Sequence, residues 1–241
     1  MSLFIGDRLV KKITVPTKTV CCDFTPFTQG LHSFLGSDLQ LKQVGLVSVV
    51  PQLEQLLSQV LTHELDLPVK LYNQASQIPL KLKVDIPAEV GADRALGAWS
   101  AYDKYASDLL VIDFGTAITF DLVSSSGEFE GGIIAPGVSI SIKALTDLAA
   151  RLPKVESFDQ VGPLIGRNTQ DCLRSAYFHG TAAMVKGLIA QISEQVGKSP
   201  KLIFTGGWVN QDLLKFFDIK GEYVPELLLE GLNCLLLKDH S

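Results

Sequence analysis

The sequence predicts an α/β protein made of two halves, each a mixed sheet flanked by helices. Short apolar and β-branched runs alternate with segments of helical spacing, the pattern of sheets covered by helices. Three strand-like segments follow one another directly between residues 109 and 135, which requires antiparallel neighbours and rules out a plain βαβ repeat. At 241 residues, 46% apolar and 20% charged, the chain can bury a sizeable core and suits two small domains or one large one. The division is expected near residue 108, giving halves at 1–108 and 109–241.

Each element has its own signal. RLVKKITV (residues 8–15) alternates as a strand after a Gly6-Asp7 turn. QVGLVSVVP (Gln43 to Pro51) reads as a buried strand ending at a proline. QLEQLLSQVLTHEL (Gln52 to Leu65) has helical spacing, and PVKLYN (Pro68 to Asn73) returns to strand. PAEVGADRALGAWSAYDKY (Pro87 to Tyr105) is expected to be one helix with proline in its first turn. Strands at Leu109 to Phe114, Ala117 to Val123 and Phe129 to Ala135 come next, with SSSG (Ser124 to Gly127) turning between the last two. Helices are expected at Ser139 to Ala150 and Thr169 to Val196. KLIFTGG (Lys201 to Gly207) is a strand running into a glycine turn, and a last helix covers Pro225 to Leu237.

Charge and composition exclude several classes. The net charge is −5 and basic residues do not cluster beyond pairs such as Lys11-Lys12, so a nucleic-acid partner is not expected. LLLEGLNCLLL (Leu227 to Leu237) is too short for a bilayer span and holds Glu230 and Asn233, and near the N-terminus the longest apolar stretch is Leu3-Phe4-Ile5. No membrane partner is expected. Cys21, Cys22, Cys172 and Cys234 lack CxxC spacing, which suits reduced thiols in the cytoplasm. His32, His63, His179 and His240 each stand alone, without a metal-ligand neighbour at useful spacing.

Neither a P-loop nor a GxGxxG fingerprint occurs. VIDFGTAITFDL (Val111 to Leu122) offers another way to meet a phosphate. Asp113 emerges near a strand end, Gly115 lets the backbone turn without a Cβ, and Thr116 and Thr119 add hydroxyls. A carboxylate cannot bind phosphate directly; it would hold a cation or a cation's water shell. The same residues could equally form a capped turn. In GADR (Gly91 to Arg94), Asp93 is favoured in a first helical turn by the helix dipole with or without a catalytic role. GGIIAPGVSISIKAL (Gly131 to Leu145) leads through a Pro-Gly turn into a helix N-terminus, a natural anion site. In IGRNT, Asn168 or Thr169 suits an N-cap, and TGG (Thr205 to Gly207) could border an adenosine or be only a tight turn.

The order GADR, VIDFGTAITFDLV, GGIIAPG, IGRNT, FTGG, VPELLLEGL resembles the type III pantothenate kinases from Ser48 to the C-terminus. The resemblance implies a duplicated ribonuclease-H-like (actin/hexokinase-like) fold and a homodimer. It implies ATP-dependent phosphorylation of pantothenate to 4′-phosphopantothenate, the first step of coenzyme A synthesis, in the cytoplasm. On the matching positions Asp93 is the base, while Gly91 and Arg94 hold substrate. Asp113 binds a monovalent cation, potassium or ammonium. Gly115, Thr116, Thr119 and Gly206 meet ATP, and Thr169 reaches pantothenate across the dimer.

There are two departures from the family pattern. Family members open with a strand and an Asp-x-Gly-Asn-Thr loop for the ATP phosphates and magnesium. This sequence starts MSLFIGDRLVKK, and its one D-x-G is at Asp113, so that strand and turn are expected to be absent. Val84 and Ile86 stand where the family carries Tyr and Asn near the pantothenate. Two alternatives stand beside the kinase reading: a non-catalytic relative that binds a pantothenate-like ligand or partner, and a kinase for another small hydroxyl substrate.

Overall fold

A glycine with φ +61 turns the chain between its first two strands. β1 (Ser2–Ile5) runs into Gly6-Asp7 and returns antiparallel as β2 (Arg8–Lys12). The computed structural model describes residues 2–13, 25–35, 41–149, 152–153 and 160–239. Thr14, Val15, Cys21, Cys22, Ala150 and His240, named above, lie outside these residues. The chain divides into two units. The first holds Met1–Tyr105, Gly127–Phe129 and Glu226–Ser241; the second holds Ala106–Ser126 and Glu130–Pro225.

In the first unit, α1 (Thr25–Leu35) is followed by β3 (Val44–Val47), α2 (Pro51–Leu65) and β4 (Val69–Tyr72). β3 and β4 pair in parallel, with α2 as their crossover and Pro51 at its head, where a missing N–H costs nothing. Phe27, Leu31 and Leu61 close a small core beneath α1 and α2. β5 (Lys81–Leu82) pairs in parallel with Glu128 and Phe129. Two 3-10 turns, Ala75–Gln77 and Pro87–Glu89, precede α3 (Ala92–Tyr105). α3 is rich in alanine and buries Ala95, Leu96, Ala98 and Ala101, so it can approach the C-terminal helix (Leu227–Lys238) closely. Gly231 meets Ser100 there: an added Cβ would lie 2.7 Å from the Ser100 Cβ, and the Ser100 hydroxyl donates to the Leu227 carbonyl at 2.9 Å. The last helix therefore groups with the first unit although it follows residue 109 in sequence.

In the second unit, β6 (Leu109–Phe114) pairs antiparallel with β7 (Ala117–Val123), which neighbours β8 (Glu128–Pro136). After α4 (Val138–Leu148), α5 (Thr169–Ser175), a π-turn at Ala176–Gly180 and α6 (Thr181–Val196), β9 (Lys201–Thr205) pairs in parallel with β6. α7 (Gln211–Phe217) leads to β10 (Glu222–Tyr223), parallel to β9. The order is β10-β9-β6-β7-β8. One face of the three central strands presents Leu110, Ile112, Phe114, Ile118, Phe120 and Phe204 to a core that includes Val185 and Phe217. Each such side chain contributes about 1.5–3 kcal/mol on burial.

Two expected helices differ. Pro87 to Tyr105 is not continuous: the Val90 N–H closes the 3-10 turn on the Pro87 carbonyl, Val90 itself is extended, and the helix restarts after Gly91. Thr169 to Val196 is interrupted by the π-turn, whose Tyr177 and Phe178 are buried. Among the described residues no helix is long and apolar enough to cross a membrane.

Candidate active site

The strand register places three oxygen-bearing side chains in one row. Asp113, near the end of β6, stands opposite Thr119 on β7 and opposite Thr205 on β9. Because side chains alternate along a strand, Val111 and Asp121 form the next row of the same face. Thr205 and Asp121 are each only 2% exposed, and the Thr119 hydroxyl donates to Asp121 Oδ2 at 3.1 Å. The opposite face packs on the apolar core, and on the polar row's own face Leu109, Val111, Val123 and Ile203 are buried behind it.

Gly206 backs this row. Its φ is +102, and an added Cβ would lie 2.5 Å from Asp113 Oδ1 and 2.5 Å from the Phe114 nitrogen. Only glycine fits there. Two residues on, the Trp208 N–H donates to the Phe114 carbonyl at 3.1 Å, and the indole N–H donates to the Tyr177 hydroxyl at 2.5 Å. The turn after β6 is exposed at Gly115 and Thr116, with the Gly115 N–H on the Ala117 carbonyl at 3.0 Å. Gly137, at the head of α4, touches this turn: an added Cβ would sit 2.0 Å from the Thr116 carbonyl oxygen. The Pro-Gly turn and the Asp-Phe-Gly-Thr turn thus brace each other. At the far end of β6, the Lys198 ammonium and the Ser125 N–H bind Asp108 Oδ1 and hold its carboxyl below the usual range.

Thr169 is the exposed first residue of α5, and Asn168 is the cap: its Oδ1 accepts the Asp171 N–H at 2.9 Å. Gly166 packs so tightly under this turn that a Cβ would lie 2.3 Å from the Cys172 nitrogen. In the first unit, Gly91, Asp93 and Arg94 form a second group. Asp93 Oδ1 accepts the Arg94 N–H at 2.8 Å, and a Cβ on Gly91 would lie 2.5 Å from that same oxygen. Val84 is half-buried and Ile86 is 54% exposed.

The expected site residues therefore fall into two groups, Gly91, Asp93 and Arg94 in the first unit and Asp113, Gly115, Thr116, Thr119, Thr169 and Gly206 in the second. Thr205 and Gly137, from the TGG and Pro-Gly turns, belong to the second group too, and Asp121 joins it without having been picked out. Thr119 and Asp121 carry a readable signal, a period-two polar pair on an otherwise apolar strand. Among the described residues the histidines have partners: His32 and His63 meet Glu64, and His179 meets the Gly162 carbonyl. Among the described residues no three His, Cys, Asp or Glu side chains gather as a metal cage.

β6 pairs antiparallel with β7 on one side and parallel with β9 on the other, with glycine turns at the strand ends, the mixed α/β arrangement expected of ribonuclease-H-like, actin- and hexokinase-like proteins. Residues 1–191 match the family model described as type III pantothenate kinase. Three relatives bearing that description come from Desulforapulum autotrophicum, Desulfosudis oleivorans and Myxococcus xanthus. The first is 36% identical over 211 residues, covering 86% of this chain and 80% of the relative. The second is 35% identical over 239 residues, covering 97% and 92%. The third is 33% identical over 245 residues, covering 100% and 94%. This chain belongs to the type III pantothenate kinase family. Its fold is also that of a solved Campylobacter jejuni protein described as a Baf family transcriptional activator, with TM-score 0.58, 22% identity and coverage of 87% and 88%.

Proposed function

We propose that this chain transfers the γ-phosphoryl group of ATP to a hydroxyl of pantothenate, giving 4′-phosphopantothenate and ADP, the first step of coenzyme A synthesis. The observation that carries the reading is the row Thr205, Asp113, Thr119, backed by Gly206 and followed by the Gly115–Thr116 turn. The exposed Thr116 hydroxyl at that turn suits a phosphate oxygen, and the turn's brace at Gly137 holds it in place before ligand arrives. Asp93 takes the proton of the attacking hydroxyl. The oxygen then bonds to the γ-phosphorus as the bond to the β-phosphate oxygen breaks. Gly91 leaves room for the Asp93 carboxylate, and Arg94 and Thr169 hold pantothenate.

Asp113 with its threonine neighbours offers hard oxygen donors but a single carboxylate in its row, which fits a monovalent cation better than a divalent cage. When bound, potassium or ammonium would supply positive charge beside the phosphates. Magnesium belongs with the family's Asp-x-Gly-Asn-Thr loop.

A homodimer is part of the same reading. Leu148 and Ile165, 86% and 81% exposed, are large apolar side chains left uncovered in the second unit, the unit that carries Thr169. The reaction, and free thiols at Cys172 and Cys234, suit the cytoplasm. Asp93→Asn tests the assignment. It keeps shape and hydrogen bonding, so the melting temperature should hold while turnover falls by about 10²–10⁴-fold. Turnover within a few-fold of the parent would leave Asp93 only a helix-dipole residue.

A further inference from the structure

The space that a side chain at position 91 would occupy is bounded on two sides. Asp93 Oδ1 lies 2.5 Å from the place of the missing Cβ, and Val49 Cγ1 lies 3.6 Å from it. The carboxylate assigned as base and an apolar branch therefore flank the same opening, all within the first unit. Val49 is 48% exposed and its neighbour Val50 39%, so this wall is open to a ligand.

The turn that carries Val49 is tied down at each end. The Ser48 N–H donates to the Tyr72 carbonyl at 3.1 Å, which holds the end of β3 to β4. The Ser48 hydroxyl accepts the Val50 N–H at 3.1 Å, and the Leu53 N–H donates to the Val50 carbonyl at 2.9 Å as α2 begins. Val49 stands between these ties, and its branched Cβ leaves it few rotamers. Local stability does not explain the choice of residues. Val50 holds the cap position of α2 without a side-chain cap hydrogen bond, and valine is among the poorest caps. Two exposed valines in a pinned turn suit contact with an apolar group.

Pantothenate presents such a group next to its reacting oxygen. The hydroxyl that receives phosphate sits on a methylene, and the next carbon bears two methyl groups. A base must lie within about 3 Å of the hydroxyl it deprotonates, and staggered bonds put the methyl carbons about 3–4 Å from that oxygen. With its hydroxyl on Asp93, the substrate thus brings its methyls within contact range of a group across the Gly91 opening, where Val49 stands. We propose that Val49 is a specificity-determining residue: its side chain packs on the geminal methyl groups of the substrate and selects a hydroxyl beside a quaternary carbon over a plain primary alcohol. The proposal rests on pantothenate as substrate and Asp93 as base.

The test is calorimetric binding of pantothenate, and of its analogue lacking both methyl groups, to the full chain and to Val49→Thr. Threonine keeps the branched shape at an exposed position and exchanges one methyl for a hydroxyl. Pantothenate affinity should fall by about three- to ten-fold, the scale of one buried methylene or slightly more. The analogue should bind parent and variant within about two-fold of each other, the limit of additivity for groups that do not touch. Its greater flexibility is the same against either protein and cancels in the comparison. Val49→Ala should act in the same direction. Equal losses for both compounds, or no loss for either, would overturn the proposal and leave Val49 a turn residue. A parent that binds the two compounds equally would also overturn it while leaving pantothenate as substrate. A parent that binds neither would overturn the substrate assignment itself, and this proposal with it.

Discussion

Replacing Gly206 by alanine tests the architecture of the second unit's polar row at a single atom. The added methyl would meet three atoms: Asp113 Oδ1 and the Phe114 nitrogen at 2.5 Å and the Phe114 carbonyl carbon at 2.6 Å. Two of these belong to the backbone of the central strand, which pairs on both sides and cannot yield. The φ of +102 adds backbone strain. Strain of this kind costs about 1–3 kcal/mol, and overpacking costs about 1–3 kcal/mol more. The expected loss is therefore about 2–6 kcal/mol, with the Asp113 carboxylate displaced from its place between Thr119 and Thr205. Gly207→Ala is the control, since nothing lies within 4 Å of a Cβ there. Urea unfolding of both variants beside the parent measures the effect, and ATP affinity by calorimetry measures the displacement. Stability of Gly206→Ala within about 0.5 kcal/mol of the parent, the range of an ordinary surface change, would refute the close packing of Gly206 on Asp113.

Activity should rise with potassium or ammonium, and Asp113→Asn should lose that dependence; an assay indifferent to both cations would leave Asp113 as a capped-turn residue. Sedimentation at micromolar concentration should show a dimer, and Leu148→Lys should weaken it; a 26.2 kDa monomer in the parent would exclude Thr169 from a partner's pocket.

The parts of the fold that read clearly from sequence are those whose pattern is local. β6 and β7 have the expected ends because apolar runs are bounded by Asp108, the Gly115-Thr116 turn and the serine turn. β5 and β10, two residues each, have no pattern of their own and exist through their partners, Glu128–Phe129 and Ile203–Phe204. The start of α3 is misplaced because Pro87 is a legitimate helix opener, and only the extended Val90 shows that its turn closes at once. The break at Ala176–Gly180 is hidden because apolar spacing continues through it. The site divides in the same way. Asp113, Gly115 and Asp93 are visible as a turn and a helix head. Thr205 acquires its place only when β9 is laid beside β6, and Gly137 only when two distant turns touch. Val49 beside Gly91 and Asp93 is likewise a product of tertiary packing.

The most direct measurement is mass-spectrometric detection of 4′-phosphopantothenate formed from ATP and pantothenate. It should be made on this chain and on its Asp93→Asn variant. The phosphoryl group in flight is stabilised chiefly by fixed charges and donors around it. The account predicts product from this chain, formed about 10²–10⁴-fold more slowly by Asp93→Asn. No product from this chain would contradict the assignment of pantothenate kinase activity.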